Sequence, residues 1–269
     1  MAKAAAKKSD VVVPNQNALA FSNEAPAYLN QGTARGSEEV TSKDMVLPRL
    51  EIVQATSPIK ETDESIRDGH LFNSVTQEVI GDLAYFVPVY FRLEYLIWKD
   101  QDTGGGFFGS YPSMEEAKAR YKEVVEDDPT LAGQTKDGKP ILEIVDTPVQ
   151  YGMRVTPEGE FEQIVISMAK SKSKVSRKWN AMIQIAGGDR FSRVYKISTF
   201  TDENKQGKKF KNFVVQPAGF TPEKVYREAE RLYEVLKTQE FRVAHDTVIN
   251  NGEDGPAEGT PSGGDRGGI

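Results

Sequence analysis

The chain has 269 residues, a net charge of −6 and no cysteine. Such a length allows one large or two small domains with a substantial core, and the lack of cysteine excludes disulfides, thiolate nucleophiles and Cys-ligated zinc or iron–sulfur centres. The only histidines, His70 and His245, have no ligand partner at i+3 or i+4, so neither a metal site nor any other cofactor is expected.

Residues 1–42 are polar and weakly periodic (Asn15-Gln16-Asn17, Gly36-Ser37-Glu38-Glu39), which predicts a disordered N-terminal arm. Val11-Val12-Val13-Pro14 is too short for the apolar part of a signal peptide, and no segment approaches the ~20 apolar residues of a membrane span. A soluble, cytoplasmic protein without a membrane partner is the expectation. A single domain follows over 43–246. Its first strand signals are Met45–Val53 and His70–Asn73. Then comes Ala84–Trp98, which exceeds the length of a normal strand and should bend or bulge. Ser113 and Glu116 form a capping box that opens a helix to about Glu126. Ile141–Val145 and Val149–Val155 read as two β runs, and Thr156–Gly159 turns the chain into Phe161–Met168. Val175, Trp179, Met182, Ile183 and Ala186 predict a helix over Ser173–Ala186, ended by Gly187-Gly188. A hairpin pairs Arg193–Phe200 with Lys208–Gln216. Thr221 as N-cap and Pro222 at the first position open a last helix to about Phe241. Residues 247–269 are rich in glycine and acids and predict a disordered tail. The fold class is mainly β (α+β): a partly open antiparallel barrel with an inserted helix and a C-terminal helix.

Charge is distributed unevenly. Between Met168 and Lys211 lie twelve basic residues against three acidic ones, a local excess of nine that leaves −15 for the remainder. This predicts an anion-binding face on an acidic body. One part is the strand-to-helix junction, with Lys170, Lys172 and Lys174 alternating with serines ahead of Arg177, Lys178 and Trp179. Free N–H groups at the helix start suit phosphate. The other is the hairpin and its approach, with Arg190, Arg193, Lys196, Lys205, Lys208, Lys209 and Lys211. Cations that track a backbone beside rings that stack bases are how sequence-tolerant single-strand binders work. The candidate rings are Trp98, Trp179, Tyr195 and Phe210; alternation turns about half of such rings inward, so the group is a stronger signal than any one member.

Val46-Leu47-Pro48-Arg49-Leu50, the aromatic strand ending at Trp98, Tyr195–Thr199 and Asn204–Asn212 resemble single-stranded DNA-binding proteins of tailed bacteriophages. The resemblance covers about Asp44–Val215. It implies an oligonucleotide/oligosaccharide-binding (OB) barrel that protects single-stranded DNA during phage replication or recombination. It also implies action in the host cytoplasm and contacts with replication or recombination proteins, and leaves oligomerisation open. Gly104-Gly105-Gly106 lacks the Gly-Lys-Ser/Thr ending of a phosphate loop and reads as a hairpin tip. No catalytic constellation stands out, so a binding protein is expected in place of an enzyme. The alternative is a phage structural or assembly protein, a scaffold or virion-associated factor, whose basic patch meets an acidic protein.

Overall fold

The computed structural model describes residues 36, 39, 47–100, 103–204 and 207–238. The chain divides into two compact units, Met1–Thr41 and Ser42–Ile269, and the fold below belongs to the second. Apart from residues 36 and 39, the expected arm lies outside the described residues. So do the expected tail, Met45, Val46, Lys205 and the last residues foreseen for the C-terminal helix.

A small antiparallel sheet is formed by β1 (Leu50–Ile52), β2 (Leu71–Asn73) and β3 (Val79–Gly81), in that order. The large antiparallel sheet contains β4 (Ala84–Lys99), β5 (Gly106–Tyr111), β6 (Leu142–Val155), β7 (Phe161–Ser167), β8 (Arg193–Glu203) and β9 (Lys209–Phe220). Its order is β7-β6-β4-β8-β9, with β5 also paired to β4. Three α-helices complete the α+β fold: α1 (Met114–Asp127), α2 (Ser173–Ala186) and α3 (Glu223–Thr238). Ser113 caps α1 as its sequence predicts, accepting from Glu116 N while its hydroxyl donates to the Glu116 carboxylate.

The long strand β4 organises the sheet. Its register slips between Pro88 and Tyr90 and again between Ile97 and Trp98. Val89 is the extra residue at the first slip, beside a proline that has no N–H to give to a ladder. The resulting bend lets one strand pair with β8 through Ala84–Phe86, with β5 through Tyr95–Lys99 and with β6 along almost its whole length. That continuous partner explains why β6 is one strand and not the two runs its sequence suggests: Pro148 stays in register opposite Leu93, and its carbonyl accepts from Met168 N. Opposite the bend sits Gly152, where a Cβ would lie 2.2 Å from the Val87 carbonyl and 2.5 Å from the Phe86 ring. Only glycine admits so close a crossing.

Alternation on β6 sends the two longer-range helices to opposite faces of the sheet. Gln150 donates from Nε2 to Ser176 Oγ of α2 at 3.0 Å. On that side Trp179 and Ile183 pack with Phe86, Ile164, Ile166, Met168, Tyr195 and Ile197, and with Leu50 and Leu71 of the small sheet. Tyr151 and Met153 face the other way and pack with Val87, Val89 and Val149 against Val225, Ala229 and Leu236 of α3. Arg92 ties α3 down: its guanidinium donates to the Leu236 carbonyl at 2.7 Å and lies 5.3 Å and 5.6 Å from the ring centroids of Tyr90 and Tyr151. A cation at a helix C-terminus meets both free carbonyls and the negative end of the dipole. Burial, and then the adjacent Glu94 carboxylate that accepts its hydroxyl at 2.6 Å, push the Tyr151 phenol far above its ordinary value.

The outer strands β7 and β9 are not paired to each other, so the large sheet is not closed. Between them runs the segment around β1. Arg49 makes a parallel bridge with Val165, whose N–H donates to the Pro48 carbonyl. On the opposite side the buried Gln54 amide accepts from Lys211 N at 2.7 Å and donates to Lys211 O at 2.8 Å. A side chain thus supplies the two hydrogen bonds that a neighbouring strand would have made. Among the described residues no helix is long and apolar enough to cross a membrane.

Candidate nucleic-acid interface

The junction before α2 is a 3-10 turn, Lys170–Lys172, that runs directly into the helix. Lys170 has φ +50°, a conformation few residues other than glycine adopt, and its amine pairs with Glu143 at 2.8 Å. Its amine is therefore engaged by a carboxylate of the protein. Lys172 occupies the N-cap position without a side-chain cap. Inside the helix, Val175, Trp179, Met182 and Ile183 face the core as their spacing requires. Lys174, Arg177 and Lys178 are exposed on the other side. At i, i+3 and i+4 these cations are surface neighbours, so they repel one another, and they stand near the positive end of the helix dipole. No acid occurs in α2 to offset them. Among the described residues none of Lys172, Lys174, Arg177, Lys178, Lys196 and Lys209 makes an ion pair.

Arg190 departs from expectation. Its guanidinium donates to Gln150 Oε1 and, at 2.6 Å, to Asn180 Oδ1, and it lies 5.6 Å from the Phe91 ring centroid. Burial lowers its pKa to about 10. It bolts α2 to β6.

Three of the four candidate rings are in the core. Trp179 stands edge-on between Phe86, at 5.6 Å, and Tyr195, at 5.5 Å, and is fully buried, as is Tyr195. Phe210 is buried as well. None of the three can stack a base without disrupting the packing they fill. The physical reason is registry: Tyr195 pairs with Phe86, so both rings point at α2. Trp98 is half-buried, 4.8 Å from Phe107 of β5, at the far end of β4 from the cationic hairpin.

On the hairpin itself, Lys196 sits opposite Tyr85 and Gln216 and is half-buried. Lys208 and Lys209 are exposed at the loop end. The Lys211 amine donates to Thr201 Oγ1 at 2.9 Å, and its backbone belongs to the Gln54 seam. Arg193 lies at the other end of β8, its guanidinium 4.5 Å from the centroid of the Phe220 ring. Phe220 is 75 % exposed. Sequence patterning ends the hairpin at Gln216 and therefore misses this ring. Instead the strand continues past a bulge to Phe220, in register with Arg193. Among the described residues no three His, Asp or Glu side chains stand together as a metal site would require.

A model of the Pam3 phage gp34-like protein family matches residues 15–242 of the chain. No curated protein and no solved structure matches it.

Proposed function

The chain belongs to the Pam3 phage gp34-like family, and on that premise we propose that it is a sequence-tolerant single-stranded-DNA-binding protein that protects DNA during phage replication or recombination. It acts as a binder without a catalytic step, in the host cytoplasm, alongside replication or recombination proteins. The observation that carries this reading is the cationic face of α2: Lys174, Arg177 and Lys178 stand together with no acid in their helix and, among the described residues, no ion pair. A protein tolerates such self-repulsion most readily where a polyanion relieves it.

The strand order supports a partly open OB-like barrel as the scaffold. A five-stranded OB barrel is a Greek key. The path β7-β6-β4-β8-β9, with α2 between β7 and β8, has the same arrangement, with the Gln54 and Arg49 contacts spanning the gap that remains. In that scaffold the loop joining the last two strands contributes to oligonucleotide binding. Here it carries Lys208 and Lys209.

Titration of the purified chain with oligo-dT over a range of salt tests the reading. Tight binding at low salt that weakens steeply as salt rises is expected. Absence of binding at low salt would remove it, and large ordered assemblies indifferent to nucleic acid would put a structural or assembly role in its place.

A further inference from the structure

With Trp179, Tyr195 and Phe210 in the core, the molecule needs another ring if bases are to stack, and we infer that Phe220 is the base-stacking platform, with Arg193 behind it. The inference rests on the single-strand-binding reading and adds to it the residue that meets the base. Phe220 has the highest exposure of any aromatic among the described residues, at 75 %. One face of its ring is covered by the Arg193 guanidinium, 4.5 Å from the centroid, which leaves the other for a ligand. A cation on one face holds the ring in place.

The ring is also held by its backbone. Phe220 pairs in register with Arg193 across the β8–β9 ladder. The next residue, Thr221, donates from N to the Ser192 carbonyl at 3.0 Å and from its hydroxyl to the Phe191 carbonyl at 2.8 Å. Before it, Pro217, Ala218 and Gly219 are exposed and carry no side chain large enough to cover the ring. A platform fixed in advance loses little entropy when a base lands on it. Arg193 contributes further: its Nε is buried and has no hydrogen-bond partner. Its positive charge beside the ring also suits the phosphate next to a stacked base. The ligand chemistry is thus a nucleobase with its adjoining phosphodiester.

The test compares wild type, Phe220→Ala and Phe220→Trp for binding to fluorescein-labelled oligo-dT and to an abasic oligodeoxyribose-phosphate of the same length. The expected result is that Phe220→Ala weakens oligo-dT binding roughly 5- to 100-fold. Abasic binding and the thermal midpoint should stay as in wild type, and Phe220→Trp should retain affinity. Equal oligo-dT affinity in wild type and Phe220→Ala would overturn the inference while leaving the single-strand reading intact. A wild type that binds neither oligomer would overturn that reading itself. A change of oligomeric state in Phe220→Ala would also overturn the inference, by showing that the ring seats against a second copy of the chain.

Discussion

Helices α2 and α3 lie on opposite faces of one sheet and treat their charges in opposite ways. In α3, four acids are interspersed with four bases, and several pair along the helix: Arg227 with Glu223 and Glu230, and Arg231 with Glu228. In α2 the charged residues are bases only, and among the described residues Lys174, Arg177 and Lys178 make no ion pair. Both helices are amphipathic and both bury an apolar stripe, so packing does not require the difference. α3 is a self-neutralised cover whose end is fixed by Arg92. α2 is driven into the core by Trp179 and presents an exposed cationic face, the face proposed to meet an anion. On the proposed function, stability and binding are carried by separate residues, and substitutions should separate them.

The largest effect is expected where α2 is anchored. Trp179→Ala empties the space between Phe86 and Tyr195 and should cost roughly 3–5 kcal/mol of stability by chemical denaturation. A loss of DNA binding with no loss of stability would instead make Trp179 a stacking ring. Next comes Arg190→Met, which leaves Gln150 Oε1 and Asn180 Oδ1 short of a donor and should cost about 1–3 kcal/mol. The slope of log affinity against log salt should not change, because the Arg190 guanidinium is engaged by Gln150 and Asn180. A shallower slope would return it to the interface. The smallest effect belongs to α3: Arg231→Ala removes one exposed pair with Glu228, worth about 0.3–0.5 kcal/mol, and should leave oligo-dT binding as it was.

The sequence makes the periodic parts of this molecule legible. The 173–186 helix, the Ser113 capping box, the β8–β9 hairpin and the need for a bend in β4 all follow from local spacing and turn chemistry. What stays hidden depends on partners distant along the chain. Pro148 looks like a strand break until β4 is seen to pair on both sides of it. Gln54 reads as a loop residue, and only the approach of β9, 157 positions away, makes it a seam. The candidate interface divides in the same way. Lys174 and Arg177 lie exposed on a helix that has no acid of its own to neutralise them. Lys170 and Arg190 are captured by Glu143, Gln150 and Asn180, partners that no local pattern reveals. The rings follow suit: Tyr195 is turned inward by its pairing with Phe86, whereas Phe220 is carried outward by a bulge that local patterning does not reveal.

The central claim, that the open cations of α2 hold a single strand, is tested most directly by salt-dependent oligo-dT titration of wild type beside the Lys174→Ala/Arg177→Ala/Lys178→Ala variant. Release of counterions from about three phosphates predicts that the variant loses roughly 2 units of the salt slope and binds far more weakly at low salt. Its thermal stability should be equal to or above wild type, since the repulsion on the helix is relieved. Equal slopes and equal affinities in the two proteins would contradict the account.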